Sequence, residues 1–337
     1  MPVTAREIRL KSRPSGLPDA ANFELVTRPL ETPAAGQILV RNLWMSVDPY
    51  MRGRMIDRKS YIPPFQIGAA LEGSAVGVVV QSGDAGFKEG DMVSHFAGWR
   101  DHALVAAAGA TRIDDRKIPA QAYLGPLGIP GLTAYVGLMR IAELKAGETV
   151  FVSAAAGAVG SVAAQIAKIR GARVIGSVGS EEKAGWLRDA IGVDAVINYK
   201  TSGDLTKALA EAAPEGIDVY FDNVGGDHLD AALASAKGFA RFVLCGMIAQ
   251  YNAETPPPGP RNIFLAVSRS LKLQGFIIGS HFDLMPDFLG EMSQWIAADR
   301  VKWRETVVEG LENAPDAFLG LFRGENFGKM LVRLGAK

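Results

Sequence analysis

From about Tyr123 the chain alternates short apolar runs with helical stretches, and this alternation constrains its fold more than any other feature. Thr149-Val150-Phe151-Val152 reads as a buried strand. A helix then runs from Gly157 to Arg170, with Val159, Val162, Ala163, Ile166 and Ile169 on one face and Gly171 as its stop. Further strands are expected over Arg173–Val178, Asp194–Asn198, Ile217–Phe221, Phe239–Leu244 and Leu271–Ile278, with a helix through Lys183–Ala190. Strand–helix alternation of this kind builds βαβ units and a parallel sheet.

The first 120 residues read differently. Short apolar runs such as Gln37–Leu43, Gly77–Val80 and Ala103–Val105 are broken by turn signals such as Ser82-Gly83-Asp84 and Glu89-Gly90-Asp91. That pattern predicts an all-β, barrel-like unit. At 337 residues the chain has room for two domains. Its 36 basic and 36 acidic residues cancel, which argues against nucleic acid held by bulk charge. No run of about 18 uncharged apolar residues marks a membrane span, and the start of the chain lacks an apolar signal region. A cytoplasmic protein is expected. The single cysteine, Cys245, excludes a disulfide framework and a four-thiolate zinc lobe.

Ala154-Ala155-Ala156-Gly157-Ala158-Val159-Gly160 falls where the first strand gives way to its helix. This is the glycine fingerprint of dinucleotide binding with its first glycine replaced by alanine. Such a turn lets backbone approach a pyrophosphate and packs helix against strand. The helix start adds N–H groups and positive dipole. An NAD site places an acid at the end of the second strand, but Ser177-Val178-Gly179-Ser180 stands there. No carboxylate repels a 2′-phosphate, and Lys183 follows one turn on, so NADP is favoured over NAD. Taken alone, Lys183 is an ordinary helix residue. Asn223, at the end of the fourth strand, and the Cys245–Tyr251 turn after the fifth fall at the strand ends where ligands bind. Nothing in the sequence near Cys245 activates its thiol.

These residues together carry a resemblance. Ser46–Arg52, Gly131–Tyr135, Ala154–Ser161, Asn198–Lys200, Phe221–Gly226, Cys245–Asn252 and Glu325–Met330 resemble segments of the zinc-free medium-chain dehydrogenases/reductases. Within that superfamily the match is to the NADPH-dependent double-bond (prostaglandin, curcumin and alkenal) reductases, the bacterial curcumin-reductase branch above all. The resemblance implies an α/β fold: a GroES-like β-barrel catalytic domain over 1–122, a six-stranded parallel Rossmann domain over 123–297, and a C-terminal return to the catalytic domain over 298–337. NADP(H) would lie in the cleft between them.

Carried over by position, Ala158, Val159, Gly160 and Ser161 would hold the pyrophosphate. Lys183 and Tyr199 would take the 2′-phosphate ribose. Asn223, the turn from Cys245 and Gly246 to Tyr251, and Phe276, Ile277 and Ile278 would surround the rest of the cofactor. Asn326 would bond the nicotinamide end. Tyr50, Tyr61 and Phe96, with Trp99, would line the substrate cleft, and Asp48 and Arg52 would order the loop beside it. Ala70-Leu71-Glu72-Gly73 stands where metal-dependent relatives carry zinc ligands, and it holds no histidine. No metal is therefore expected. The four histidines, His95, His102, His228 and His281, have no ligand spacing.

The implied reaction is reduction of the C=C bond of α,β-unsaturated ketones and aldehydes, with hydride going to the β-carbon and Tyr251 supporting the enolate oxygen. A phenol suits that task because it donates a hydrogen bond while neutral. Packing alone is the other reading of Tyr251, and core packing that of Tyr50, Tyr61, Phe96 and Trp99. A quinone oxidoreductase is the main alternative; a hydroxyl dehydrogenase and a non-catalytic NADPH-binding protein are weaker ones. The family suggests a homodimer and a small-molecule substrate.

Overall fold

The computed structural model describes residues 3–335; the ends of the two outer predicted domains, 1–2 and 336–337, lie outside them. The chain divides into two compact units. One runs to Leu124 and takes in Glu305–Asn326 and the residues from Met330 onward. The other is Gly125–Arg304 with Phe327–Lys329.

The first unit begins with β1 (Thr4–Leu10), β2 (Phe23–Pro29) and β3 (Gln37–Ser46), then α1 (Met51–Arg54), β4 (Ala75–Ser82), β5 (Met92–His95), β6 (His102–Ala106) and β7 (Thr111–Arg112). The second unit contributes α2 (Ile129–Val136), β8 (Thr149–Val152), α3 (Gly160–Ile169), β9 (Arg173–Val178), α4 (Glu181–Trp186) and β10 (Ala195–Asn198). It continues with α5 (Leu205–Ala212), β11 (Ile217–Asp222), α6 (Gly226–Ala234), β12 (Ala236–Leu244), α7 (Leu265–Ser268), β13 (Lys272–Gly275) and α8 (Met285–Ala297). The chain then returns to the first unit with β14 (Glu305–Glu309), α9 (Ala314–Arg323) and β15 (Lys329–Arg333).

β1 and β2 form an antiparallel pair, and the seven-stranded sheet runs β14-β15-β3-β4-β5-β7 with β6 also on β3. One edge of β3 is shared. Gln37–Arg41 pair with β6, and Trp44–Ser46 pair with β15. Inward side chains of β1, β3 and α9 meet in one core that includes Ile8, Met45, Phe318 and Met330. Trp99 belongs to this core. It is fully buried, stacked on Phe23 at 6.1 Å and edge-on to Phe318. The expectation that it lines a substrate wall is therefore corrected, because its indole is spent on packing.

The second unit carries a six-stranded parallel sheet in the order β10-β9-β8-β11-β12-β13. The order reverses between β8 and β11, which is the doubly wound arrangement whose ligands bind at that switch point, beyond the carboxyl ends of the strands. The central strands are apolar on both faces, as a sheet covered by helices requires. Within one cluster Phe151 stacks on Tyr220 at 5.2 Å between ring centroids, and Phe242 meets Tyr220 edge-on at 5.5 Å.

Several boundaries differ from the sequence reading, two of them at the carboxyl ends of the parallel strands. The helix expected from Gly157 starts at Gly160, because residues 157–159 are used in the turn. The last strand stops at Gly275 rather than Ile278. Its partner β12 ends at Leu244, directly opposite Gly275, so Phe276 has no strand to pair with.

Candidate active site

At the switch point, the turn after β8 is shaped by close backbone contacts. Ala154 has φ +49°, in the left-handed region that a side chain with Cβ disfavours. The fingerprint's missing first glycine is thus an alanine held in a glycine conformation. Ala155 N–H donates to Ser177 O at 2.9 Å and Gly157 N–H to Ala154 O at 2.9 Å, which fix the turn. A Cβ on Gly160 would overlap the Ala154 carbonyl, so the glycine is required by the close approach of α3 to the turn. Ala158 and Val159 are half-buried on this turn, and Ser161 is buried with its N–H donating to Gly157 O at 3.0 Å.

The turn after β11 is tied to the same point. Asn223 donates from its backbone N–H to the Ser153 hydroxyl and from Nδ2 to Ser153 O, both at 2.8 Å. Asp222 is buried, and its Oδ1 accepts from Tyr220 Oη and from the N–H groups of Val224 and Gly225 at 2.7–2.9 Å. Burial raises its carboxyl above the usual carboxylate value despite these donors. The 245–251 turn lies against this segment. Cys245 and Gly246 N–H both donate to Asp222 O at 3.0 Å, and Ile248 N–H donates to Asn223 O at 3.3 Å. Tyr251 folds back over its own turn, where its phenol oxygen accepts from Met247 N–H at 3.2 Å. The Cys245 thiol is pushed up to about 12 by burial and by the Asp222 charge, so it carries no nucleophilic role.

Beyond β9 a cationic corner forms. Ser180 caps α4 by accepting from Lys183 N–H at 3.3 Å. The first carboxylate after the strand, Glu181, is engaged by Asn198 Nδ2 at 2.6 Å. Lys183 is half-buried, and its ammonium is held below the usual lysine value by burial and by the neighbouring Lys200 charge. Tyr199 stands beside them, edge-on to the buried His228 at 5.1 Å. An ideal Cβ on Gly179 would come 2.7 Å from the Tyr199 hydroxyl and 3.4 Å from Lys200 Cε. The residue after β9 must therefore be small for the phenol and this lysine to close over the strand end. Lys200 is the residue that sequence reasoning missed. It stood in the matching segment Asn198–Lys200, but an exposed lysine in a loop has no periodicity to single it out. Phe276 lies edge-on to His281 at 6.1 Å, and Ile277 is 41% exposed; with Ile278 they follow the end of β13.

In the first unit, α1 and the loop after it gather a second group of side chains. Tyr50 lies within electrostatic reach of Asp48, Arg54, Tyr61 and Glu72. Burial, reinforced by Asp48, raises its phenol well above the ordinary tyrosine range. Arg54 is almost fully buried and acts as a strut. It donates to Glu72 Oε2 at 2.9 Å and to Pro63 O at 3.0 Å, and it lies 4.0 Å above the Phe65 ring and 6.0 Å from Phe96. Tyr61 is 58% and Phe96 42% exposed, so both present apolar surface to solvent. Arg54 also escaped the sequence reading. Asp48 takes the Ser46 hydroxyl and Arg52 donates to Gly16 O at 2.7 Å, each tying the loop to the frame. His95 is buried between Asn42 Oδ1 at 2.9 Å and Ala97 N–H at 3.0 Å, and burial lowers its pKa to about 3. It serves the core as a neutral ring. Asn326 is half-buried and directly precedes the Phe327–Lys329 segment. Among the described residues no three His, Cys, Asp or Glu side chains gather as a metal site, and no helix is long and apolar enough to cross a membrane.

Comparison with known proteins agrees with this geometry. Residues 6–113 match the N-terminal domain of oxidoreductases, and residues 158–297 match the zinc-binding dehydrogenase domain. The chain is 41% identical to the NADPH-dependent curcumin reductase of Escherichia coli over 96% of its length and 95% of that protein's. It is also 41% identical to the NADP(+)-dependent 2-alkenal reductase of Nicotiana tabacum, over 98% and 97%. The chain belongs to the NADPH-dependent double-bond reductases of the medium-chain dehydrogenase/reductase superfamily. The crystal structure of CurA from Vibrio vulnificus in complex with NADPH superposes with a TM-score of 0.93 at 42% identity, covering 98% of this chain and all of that one. As a member of this family the chain is an NADP-dependent oxidoreductase with a GroES-like domain and a Rossmann domain. The residues present fit the cofactor. The Gly157–Gly160 turn brings small residues and backbone close to the strand end, as a pyrophosphate needs, and the neighbouring Lys183 and Lys200 charges suit a 2′-phosphate.

Proposed function

We propose that this chain reduces the C=C bond of α,β-unsaturated ketones and aldehydes. Bound NADPH supplies the hydride, which the substrate receives at its β-carbon. The observation that carries this reading is the phenol of Tyr251, folded over the turn at the ligand-binding end of the sheet and oriented by Met247 N–H. A phenol oxygen that accepts one hydrogen bond can still donate its own, here to the carbonyl oxygen on which negative charge grows. Tyr251 thereby stabilises the enolate without giving up its proton, and water or a neighbouring group then protonates the α-carbon.

The other residues hold the reactants. Ala158–Ser161 would receive the pyrophosphate, Ala158, Val159 and Gly160 through backbone N–H groups. Lys183, Lys200 and Tyr199 would take the 2′-phosphate and ribose, and Asn223, Cys245, Gly246 and Phe276–Ile278 the remaining cofactor surface. Asn326 would bond the nicotinamide carboxamide. On the first unit, Tyr50, Tyr61 and Phe96 would contact the unsaturated carbonyl substrate, with Arg54 fixing the Tyr61 loop. Support comes from the grouping of these side chains on α1 and its loop, and from relatives whose names record curcumin and 2-alkenal as substrates. A cytoplasmic homodimer completes the reading.

The test is NADPH oxidation measured against a graded series of enones and enals and against quinones. Turnover with small and aryl-substituted enones is expected. Turnover confined to quinones would overturn the assignment.

A further inference from the structure

The segment Phe327–Lys329 packs with the second unit although its neighbours on both sides belong to the first. It makes a short strap across the fingerprint turn. Gly328 N–H donates to Ala156 O at 2.9 Å, and Gly328 bridges Gly157 in parallel register. On its other side Lys329 N–H donates to Arg304 O at 2.9 Å. Gly328 has φ +72°, and a Cβ there would overlap the Arg304 carbonyl. The strap is therefore threaded between the fingerprint turn and residue 304 by backbone alone, and only glycine fits.

One side chain clasps it. The Phe327 ring meets the Trp186 indole edge-on at 5.3 Å, and the Arg304 guanidinium lies 4.9 Å from the same ring. Trp186 is the last residue of α4 and is buried, one turn beyond Lys183 on the same helix. The clasp thus ties to α4, the helix that carries Lys183, a strap that is hydrogen-bonded to the fingerprint turn and follows Asn326 directly in the chain.

We propose that Phe327 is a positioning residue that registers the Asn326-bearing strap against α4 and the fingerprint turn, so that the adenosine-phosphate and nicotinamide halves of NADPH are bound as one ligand. The physical basis is effective concentration. Two linked halves bind far more tightly than either alone when both subsites are held at the matching separation, and lose that gain when one subsite drifts. Removing the ring uncovers one edge of Trp186 at the far end of α4 but leaves the Ser180 cap and buried Ala184 in place, so the Lys183 end stands by itself.

Titration calorimetry with NADPH and with adenosine 2′,5′-bisphosphate, a probe for the adenosine-phosphate end alone, tests this on the full chain. Phe327→Ala is expected to weaken NADPH about tenfold or more while the bisphosphate stays within about twofold. Phe327→Tyr, which keeps the edge-on ring, is expected to restore NADPH binding. Unchanged NADPH binding in Phe327→Ala overturns the proposal. So does an equal loss of both ligands, since that marks general damage to the unit. Should Phe327→Ala fail to fold, Phe327→Leu carries the same comparison. The proposal rests on the assignment of Lys183 to the 2′-phosphate, and Lys183→Ala separates the two: unchanged bisphosphate binding there defeats the phosphate assignment, whereas the Phe327 comparison defeats only the strap.

Discussion

The ligand-binding end of the parallel sheet and the side-chain group around α1 are built by different means. The first is made of backbone. Its shape comes from Gly157, Gly160, a left-handed Ala154 and carbonyls that accept N–H groups across the turn. The second is made of long side chains. Arg54 braces Glu72 and Pro63 and underlies Phe65, while Tyr61 and Phe96 stand half in solvent. On the function proposed above, a pyrophosphate that is the same in every turnover would be met by groups that cannot rotate, and a substrate class that varies in size by groups that can. The contrast teaches that tolerance to substitution belongs to the α1 group and intolerance to the turn.

The largest expected effect follows directly. Gly160→Ala forces the turn apart at the Ala154 carbonyl and is expected to cost about 2–4 kcal/mol, read by denaturant unfolding, with NADPH binding lost alongside. Tyr61→Ala, exposed and on the other region, is expected to change stability by less than about 0.5 kcal/mol. Similar costs for the two would erase the distinction.

Tyr251→Phe probes a side chain placed by backbone. It is expected to lower kcat about 10- to 100-fold while the NADPH dissociation constant moves less than about twofold. An unchanged rate removes the enolate role. Lys183→Ala is next in size. It is expected to weaken NADPH about tenfold and leave NADH nearly unaffected, because a single charge-assisted contact is lost. Equal losses for both cofactors would show that Lys183 does not read the 2′-phosphate.

A further expected change, small in size, has the opposite sign. Ala154→Gly removes the left-handed strain at the cost of a more flexible unfolded chain, and a net gain of about 0.5–1 kcal/mol is expected as a raised Tm. A lowered Tm would mean that the alanine methyl contributes more packing than its backbone costs.

The same division explains what could be read in the sequence. Apolar runs of four to eight residues, separated by helical spacing, located all six strands of the parallel sheet; in the central ones burial on both faces leaves a continuous apolar signature. The fingerprint turn was legible through its small residues, and the missing acid after β9 through composition at one position. Lys200 and Arg54 were not. Their placement depends on what loops bring together: Gly179 under Lys200, and Pro63, Phe65 and Glu72 around Arg54. For Trp99 the sequence left cleft wall and core packing open for the same reason, since an aromatic in a loop carries no mark of which way it faces. The end of β13 depended on the length of its neighbour, a property of the pair rather than of either strand.

The shared edge of β3 also bears on synthesis. Its first half is covered by β6, nearby in the chain, but its second half waits for β15, which is made only after every strand of the parallel sheet. The parallel sheet, drawn from one continuous stretch, has all its strands long before that. Until β15 is made, Trp44–Ser46 offer an open strand edge beside a core that still lacks Met330. A premature stop near residue 325 would make that interval permanent, leaving a finished nucleotide-type sheet tethered to an adhesive, half-closed one.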